Sequence, residues 1–484
     1  MKRLSLVVLA GLFVVAGCTD HPTQAVDPVG PSPGSDLAMS SSAVAGLGAL
    51  ETTGNHIVMM RNQRIPNNFA RDVENLGGTI ETAFGTLGVA VVSGLSGDAV
   101  AALEGLNGVS MVSPDYLIPL ELPTDIQASE VSATDLIQND NPETAFFFPR
   151  QWNMRVIEAD VAWAAGRTGS PGVTVAILDT GLDYNHVDLQ GLVDLDRSAS
   201  FVPSDDAFVE SFFPGAHPVA DLHFHGTHVG ATVSSNALAA AGVTSKVTLV
   251  GVKVCNVSGS CPTSGVLAGI MYAADIGADV MNLSLGGLFL KSANPGVVSI
   301  INRAITHANR AGSVVVVAAG NAGFDLDHNQ SPDGDHFPSL YASYCDGPTT
   351  VCVSATGPVS GGVTGPWIDE DAPAGYTNFG RSAIDVAAPG GTTGGVVWAA
   401  CSSFSLQIPA CQASPGFIVG LDGTSMAAPH VAGVAALLVE DLGANRAGLV
   451  RQRLHQTADK VGGNGNHPFY GKGRVNAASA AGVN

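Results

Sequence analysis

The chain has few charged residues, and basic residues are the scarcest of them. Only 13% of its 484 residues are charged, and 42 Asp and Glu against 21 Lys and Arg give a formal net charge of −21. This shortage of basic residues argues against nucleic-acid binding, which needs a positively charged face. Aromatic residues make up only 6%, whereas glycines number 59, which is typical of a loop-rich globular protein and not of a disordered one.

Long apolar runs are missing beyond the N-terminus, where no uncharged stretch reaches the roughly 18 residues that a membrane helix needs. The N-terminus itself predicts a targeting segment, because two basic residues precede an apolar stretch and small residues lead to Cys18. This pattern resembles a bacterial lipoprotein signal over residues 1–18, in which Cys18 is lipidated; a chance cysteine is the alternative. Residues 19–54 are rich in Pro, Ser, Asp and Gly without periodicity, which predicts a flexible tether.

Six further cysteines fall into three close pairs. An even number of cysteines in an exported chain favours disulfides, and the absence of Cys-x-x-Cys argues against a metal site. Local pairing is the simplest of the connectivities, and each short loop contributes roughly 2–3 kcal/mol in the chain-entropy model. Because these loops lie away in sequence from the motifs described below, we expect them to stabilise the fold without a part in catalysis. The predicted pairs are Cys255–Cys261, Cys345–Cys352 and Cys401–Cys411.

An α+β pattern covers residues 55–120. By itself it is also consistent with a self-standing binding domain. Ser96 is the predicted cap of its second helix. Residues 121–150 are polar and aperiodic, which is typical of a connector that proteases cut. The predicted elements are strands at 56–60, 87–93 and 109–112 and helices at 67–76 and 97–106.

From residue 151 onward, continuous apolar runs alternate with helical segments. Strands that are apolar on both faces belong in a parallel sheet covered by helices. We therefore predict an α/β fold with a doubly wound, mostly parallel sheet for residues 151–484. Residues that carry chemistry are then expected at the carboxyl ends of the strands. The predicted strands are 173–178, 247–254, 280–285, 313–319 and 351–354.

Three short motifs stand at such places. Asp179-Thr-Gly ends the first strand, His225-Gly-Thr-His enters a helix, and Ser425 lies in Gly423-Thr-Ser-Met-Ala-Ala-Pro-His at the start of a small-residue helix. Alone, each has a plainer interpretation: a turn, a metal site, or a packing helix with a capping serine. An aspartic protease needs two such carboxylates, but no second Asp-Thr-Gly occurs. No His-Glu-x-x-His zinc motif is present either.

Together the three motifs resemble a subtilisin-like serine protease, close to its proteinase K branch, over residues 151–484. The resemblance implies that Ser425 is the nucleophile, His225 its general base, and Asp179 the group that orients the imidazole. It implies a structural role for His228. It also implies that the α+β domain at 55–120, with its Val-x-x-Val-x-x-Asp ending, is an inhibitory propeptide.

Two further segments take their roles only from this resemblance. Asn321, after an apolar strand, is implied to donate to the oxyanion, although a turn asparagine is the plainer interpretation. A Ser-Leu-Gly-Gly segment is implied to be the edge along which the substrate lies as an added strand. Pairing through the main chain depends little on the side chains of the substrate, so we expect broad specificity. The implied substrate-binding residues are Ser284, Leu285, Gly286 and Gly287.

Two acidic residues stand at positions that bear on the His225 pKa and on metal binding. Asp422 stands where the family usually has Ser or Asn, and we expect its carboxylate to raise the His225 pKa slightly. Asp188 matches a calcium-ligand position in subtilisins, but residues 233–241 lack the oxygen donors expected beside it, and calcium needs roughly six to eight. We therefore expect no cofactor for the chemistry and leave structural calcium open, with Asp188 as its candidate ligand.

The sequence thus predicts an exported serine endopeptidase made as an autoprocessed zymogen. Its expected partners are protein and peptide substrates, its own propeptide as inhibitor, and the membrane through the lipid. We expect an extracytoplasmic monomer that is anchored as a precursor and released by a cut between about residues 120 and 151. One alternative is a catalytically silent binding protein on the same fold, against which the intact motifs argue. The other is a dedicated processing protease of the kexin kind, which calls for an acidic cluster along the cleft.

Overall fold

The structure is a computed structural model that describes residues 50–122, 126–137, 139–292 and 294–483. The predicted signal segment, Cys18 and nearly all of the predicted tether lie outside these residues.

An antiparallel sheet packed against two helices forms the first part of the described chain. Its strands lie in the order β2-β3-β1-β4. Apolar side chains of this sheet, such as Val58, and of the helices, such as Phe69, share a small core of their own. Ser96 caps the second helix, because its Oγ accepts a hydrogen bond from the Ala99 N–H at 3.3 Å. The bounds are β1 Thr52–Met60, α1 Phe69–Asn75, β2 Thr79–Phe84, β3 Val89–Ser93, α2 Gly97–Glu104 and β4 Val109–Pro119.

The predicted elements of this N-terminal module are present, with two differences. Strand β2 was missed, because most of its side chains are exposed and it carries no apolar run. Strand β4 continues well beyond residue 112: its residues up to Tyr116 pair with β1, and Leu117 to Pro119 pair with Ser260–Pro262, which lies far along the chain. A pairing partner at that separation leaves no local signal in the sequence.

A seven-stranded sheet organises the rest of the chain. Its order is β15-β14-β12-β10-β6-β8-β7, and the paired strands are parallel. The predicted α/β fold with a mostly parallel sheet is therefore confirmed, and the five predicted strands are β6, β8, β10, β12 and β14. The short strands β7 and β15 were not predicted. The bounds are β6 Thr174–Asp179, β7 Ala199–Ser200, β8 Thr248–Lys253, β10 Val280–Leu283, β12 Val314–Ala318, β14 Val351–Thr356 and β15 Val386–Pro389.

Both faces of this sheet are buried, which explains the continuous apolar runs. In β6, Val175 and Ile177 belong to the core on one face, whereas Ala176 and Leu178 belong to the core on the other. Helices cover both faces. Their bounds are α3 Trp152–Val156, α4 Ala159–Ala164, α5 Pro203–Phe212, α6 His225–Val233, α7 Thr263–Asp275, α8 Pro295–Ala311, α9 Thr424–Leu442, α10 Ala447–Thr457 and α11 Ala477–Ala480.

Helix α9 is the central helix of the fold. In the part of the chain that the structure describes, it is the one helix that is long and apolar enough to cross a membrane by length and composition. However, 83% of its most apolar window is buried inside the protein. Its small residues permit this burial on every side, as at Gly433, where a Cβ would lie 2.6 Å from Val243. It is therefore the core helix that the sequence predicted.

The predicted connector at 121–150 contains regular structure that the sequence did not indicate. Strand β5 pairs antiparallel with β17, and two 3₁₀ turns follow. Three of its four residues are polar and give no apolar period, so this strand depends on the edge that β17 offers. The remaining bounds are β5 Gln127–Glu130, β9 Ser260–Pro262, β11 Leu288–Leu290, β13 Leu340–Ala342, β16 Val397–Ala400 and β17 Phe417–Leu421, and the 3₁₀ turns are Pro142–Thr144, Phe148–Arg150 and Pro409–Ala413.

Candidate active site

The candidate residues gather at the carboxyl edge of the parallel sheet. Asp179 is the last residue of β6, Ser284 follows β10, and Asn321 lies three residues after β12. Since parallel neighbours end at the same edge, sheet topology alone brings these three positions together. His225 and Ser425 then join them from the first turns of α6 and α9, which contact each other.

Asp179 and His225 form a buried hydrogen-bonded pair. The His225 Nδ1–H donates to Asp179 Oδ1 at 2.8 Å, and the two side chains are 1% and 0% exposed. The same oxygen accepts the Thr180 N–H at 2.8 Å. A bond through Nδ1 fixes the imidazole tautomer and leaves Nε2 for proton transfer.

Glycine is required where the two motif turns meet. A Cβ on Gly226, in the helix that carries His225, would lie 2.2 Å from the Gly181 carbonyl oxygen. Gly181 has a φ of +119° and would place its own Cβ 2.3 Å from the Val219 oxygen. The glycines of Asp-Thr-Gly and His-Gly-Thr-His therefore let the helix approach the strand end closely enough for the pair to form.

A second buried carboxylate, Asp221, ties these turns together, and sequence reasoning missed it. Asp221 Oδ1 accepts the Thr180 hydroxyl at 2.8 Å, and Oδ2 accepts the Thr227 N–H at 2.9 Å and its hydroxyl at 2.6 Å. Thr180 Oγ1 in turn accepts the Gly226 N–H at 2.9 Å. Asp221 thus caps the helix that begins at His225. Its only sequence signal is a carboxylate four residues before the histidine.

The charges around His225 raise its pKa. Burial opposes the imidazolium, but the Asp179 carboxylate, through its charge and its hydrogen bond, and the Asp221 charge favour it, and the net shift is upward. Asp221 is therefore a second carboxylate that assists Asp179, and the effect that we expected of Asp422 on His225 stays a prediction. Burial and the Asp422 charge both raise the pKa of Tyr376.

Ser425 is buried near the start of α9 and is joined to the segment after β10. Its hydroxyl donates to the Ser284 carbonyl oxygen at 3.1 Å, and the Ser284 hydroxyl donates to the Ser425 carbonyl oxygen at 2.7 Å. The Asn282 side-chain amide donates to the Ser284 hydroxyl oxygen at 2.9 Å. Ser284, expected only as a substrate-binding residue, therefore also positions Ser425.

The orientation of the Asn321 side-chain amide is fixed by Thr424. Asn321 Oδ1 accepts the Thr424 N–H at 2.9 Å and its hydroxyl at 2.7 Å. The Nδ2 group therefore points the other way and donates to the carbonyl oxygen of Glu121 at 3.1 Å. Asn321 presents an amide donor beside Ser425, which is the geometry that an oxyanion site needs.

A cleft runs past Ser284, Asn321 and Ser425, and the end of the N-terminal module lies in it. Strand β4 pairs with β9 through Leu117 to Pro119, and the Leu120 N–H donates to the Gly259 oxygen at 2.7 Å. A Cβ on Gly287 would lie 3.1 Å from Ile118. The cleft is lined by Leu120 and Glu121 together with Ser284, Leu285, Gly286, Gly287, Asn321 and Ser425, among others.

Comparison with known families identifies the chain. The model of the subtilase family (Peptidase_S8) matches residues 170–473, which is more than half of the chain. The chain belongs to the subtilase family. It is therefore a serine endopeptidase, which acts on proteins and peptides.

Individual relatives agree with this assignment. Thermitase from Thermoactinomyces vulgaris is 35% identical over 342 residues, which span 70% of this subtilase and 98% of the relative. Subtilisin amylosacchariticus from Bacillus subtilis subsp. amylosacchariticus is 33% identical over 328 residues, which span 67% and 69%.

Solved structures show the same fold at lower identity. The epidermin leader peptide processing serine protease from Staphylococcus aureus has a TM-score of 0.66 at 21% identity, covering 89% of this chain and 98% of that one. Fervidolysin from Fervidobacterium pennivorans, a keratinolytic enzyme, has a TM-score of 0.61 at 22% identity, covering 90% and 62%.

The second motif histidine, His228, is held away from the chemistry. Its Nε2–H donates to the Val397 oxygen at 3.0 Å, and burial together with the His225 charge lowers its pKa to about 3. A neutral imidazole bonded to a backbone carbonyl is consistent with the structural role that the resemblance implies.

The surroundings of Asp188 do not fit a calcium ion. Its carboxylate is fully buried and accepts three backbone N–H groups, from Leu238 and Ala239 at Oδ1 and from Ala240 at Oδ2, at 2.8–2.9 Å. These N–H groups occupy the carboxylate oxygens that a cation would bind. Asp188 therefore holds the 238–240 loop through hydrogen bonds. Within residues 50–122, 126–137, 139–292 and 294–483, no group of three or more His, Cys, Asp or Glu side chains is placed to hold a metal.

The three disulfides join the expected partners, Cys255–Cys261, Cys345–Cys352 and Cys401–Cys411. All three loops lie away from the motif turns in sequence, but the first lies beside one of them in space. The Cys255 N–H donates to the Asp179 carbonyl oxygen at 3.1 Å, and Cys261 lies opposite Ile118 in the β4–β9 pair. This disulfide therefore links the strand end that carries Asp179 to β9, the strand that pairs with β4.

Proposed function

We propose that this subtilase is made as a zymogen whose N-terminal module inhibits the catalytic domain and is removed by self-cleavage. The observation that carries the proposal is that β4 enters the cleft as an added strand and brings the Glu121 carbonyl to the Asn321 amide. An extended chain paired through its backbone, with a carbonyl at the oxyanion donor, has the arrangement of a bound substrate.

In the proposed mechanism, Ser425 attacks the peptide carbonyl and His225 accepts its proton. Asp179 holds the imidazole in the required tautomer and stabilises the imidazolium. The Asn321 amide donates to the oxyanion, and His225 then protonates the leaving amine. Water releases the acyl group from Ser425 by the reverse proton transfers. In the structure, the Ser425 hydroxyl bonds to Ser284, so catalysis requires it to turn toward the imidazole; such bonds often tighten only in the reacting complex.

The contacts between the module and the catalytic domain support inhibition. Asp115 Oδ1 accepts the Ser264 N–H at 2.8 Å at the start of α7, and Oδ2 accepts the Ser264 hydroxyl at 2.7 Å. Arg303 of α8 donates to the Met60 and Leu87 carbonyl oxygens at 3.2 and 3.0 Å. The Asp115 bonds anchor β4 before it reaches the cleft, and the Arg303 bonds hold the rest of the module independently of that strand.

Substitution of the nucleophile tests the proposal. Purified full-length Ser425→Ala should remain uncut and should not react with a fluorophosphonate probe, whereas wild type should mature and become labelled. Ser292→Ala, a matched change at an exposed serine, should behave as wild type. Maturation of Ser425→Ala without added protease would exclude Ser425 as the nucleophile.

The proposed location is extracytoplasmic, with the precursor held at the membrane through lipidated Cys18. Because Cys18 precedes the module, a cut after the module separates the catalytic domain from the lipid. The precursor should fractionate with membranes and the mature enzyme with the soluble fraction, and Cys18→Ser should make the precursor soluble. Active enzyme still joined to lipidated Cys18 in one continuous chain would contradict this.

A further inference from the structure

The chain around Glu121 fixes which bond the proposed self-cleavage cuts, and which side chains the cleft accepts. We propose that the first cut falls between Glu121 and Leu122, and that the Glu121 side chain is the group read by the pocket beside Asn321. This inference rests on the proposed function, and it adds the position of the cut and a substrate class.

The backbone contacts set the register of the strand in the cleft. Leu117, Ile118 and Pro119 lie opposite Pro262, Cys261 and Ser260 in turn. The Leu120 N–H then donates to the Gly259 oxygen, so the strand is held up to the residue before Glu121. The next carbonyl, that of Glu121, accepts the Asn321 Nδ2–H at 3.1 Å. Among the described residues, it is the one peptide carbonyl that contacts this amide, which marks its bond to Leu122 as the bond to be cut.

The Glu121 side chain makes a separate contact. Its Oε2 accepts the backbone N–H of Asn321 at 2.5 Å. One asparagine therefore donates twice to the same residue, once to its carbonyl oxygen and once to its side chain. The side chain enters the pocket between the segment after β12 and the Ser284–Gly287 segment. A hydrogen bond at the far end of a side chain selects substrates by the length of that side chain and by the presence of an acceptor at its end.

The pocket offers this side chain no opposite charge. Among the described residues that line the cleft, Glu121 itself is the only charged one. The pocket therefore favours a long side chain that ends in an uncharged acceptor, either a protonated Glu or a Gln. A Lys side chain has three donors and no acceptor, so it would leave the Asn321 N–H without a hydrogen-bond partner. The expected substrate class is peptide bonds that follow Gln or Glu.

The covalent step balances with groups that are present and one water molecule. A bond forms between Ser425 Oγ and the Glu121 carbonyl carbon, and the bond from that carbon to the Leu122 nitrogen breaks. The serine proton passes through His225 to the Leu122 nitrogen, which becomes the new amino terminus. Water then attacks the ester, giving the Glu121 carboxyl group and restoring the serine hydroxyl.

Early products of self-cleavage test the position of the cut. Full-length wild type, quenched at short times, should yield a fragment whose N-terminus is Leu122 by intact mass and N-terminal sequencing. Glu121→Lys should slow that cut by at least about tenfold, because the site loses the acceptor that it binds. Glu121→Gln should retain it. Glu104→Lys, a matched change at an exposed position of the same module, should match wild type.

A peptide series tests the substrate class on the mature enzyme. Peptides ending in Ile-Pro-Leu-Glu, Ile-Pro-Leu-Gln and Ile-Pro-Leu-Lys, each with the same chromogenic leaving group, should show a higher kcat/KM for Glu and Gln than for Lys. An earliest cut elsewhere in a wild-type enzyme that labels at Ser425, or equal rates for Lys, would overturn this inference and leave the proposed function intact. Processing of Ser425→Ala would instead overturn the proposed function.

Discussion

The His225 Nδ1–H donates to Asp179 Oδ1 at 2.8 Å inside the protein, and Asp179 Oδ2 is buried without a hydrogen-bond partner among the described residues. The carboxylate is therefore committed to the imidazole and to one backbone N–H, and solvent does not compete for it. A bond of this kind acts by selecting a tautomer, so its removal should impair catalysis far more than folding.

Asp179→Asn should lower kcat by about 10⁴-fold, because an amide facing Nδ1 favours the wrong tautomer. Hydrolysis of a peptide substrate measures the loss, and circular dichroism checks the fold. Glu210→Gln, at an exposed position of α5, serves as the control. Activity of Asp179→Asn within tenfold of wild type would show that the pair does not orient the base.

Asp221→Asn should shift the acid limb of the pH profile of kcat/KM to lower pH. The general base works when neutral, so activity falls as the pH drops through the raised His225 pKa, and loss of the Asp221 charge lowers that pKa. The pH profile of the mature enzyme measures the shift. An unchanged acid limb in a folded variant would assign Asp221 to capping of α6 alone.

Removal of the Cys255–Cys261 disulfide should weaken substrate binding. Without it, β9 is less firmly held against the strand that it pairs with, so Cys255→Ser combined with Cys261→Ser should raise KM for extended peptides more than it lowers kcat. The double substitution of Cys401 and Cys411 should lower the thermal midpoint with a smaller change in KM. Equal KM values in both variants would leave the first disulfide a purely stabilising role.

Docking of Glu121 should weaken as the pH rises. Burial raises the pKa of this carboxyl, against the opposing effect of the Asn321 N–H, and the cleft segments at 284–288, 318–321, 342–343, 378 and 424–425 supply no charged residue. Docking is thus fully favoured below the ordinary Glu pKa and is lost as the pH passes through the raised one. In the Ser425→Ala background, the protection of 117–122 against hydrogen exchange, taken relative to the intrinsic exchange rate at each pH, should fall as the pH rises, and Glu121→Gln should suppress this fall. A Gln variant with the same pH response would refute this.

Chelators should not destabilise the enzyme through Asp188, whereas substitution of Asp188 should. Asp188→Ala leaves three buried N–H groups unpaired, at a cost of at least about 2 kcal/mol. Thermal midpoints with and without EDTA measure both effects. A midpoint that EDTA lowers in wild type but not in Asp188→Ala would restore the calcium role.

The sequence by itself determined the fold class, the family resemblance and the three motifs. Continuous apolar runs such as that ending at Asp179 encode a strand buried on both faces, and the helix at 424–442 encodes its own burial through its small residues. Both signals are local, because the period and size of neighbouring side chains create them. Ser96 was found for the same reason, since a cap acts within one turn.

Tertiary structure alone decided which groups meet. Asp221 joins Asp179 through Thr180, β4 finds β9, and Glu121 reaches Asn321, each across a separation that leaves no pattern in the sequence. The surroundings of Asp188 could not be predicted from the sequence either: its residue type suits calcium, but the backbone N–H groups around it do not. Hydrogen bonds depend on position and direction in space, and for groups far apart in the chain the folded backbone sets both.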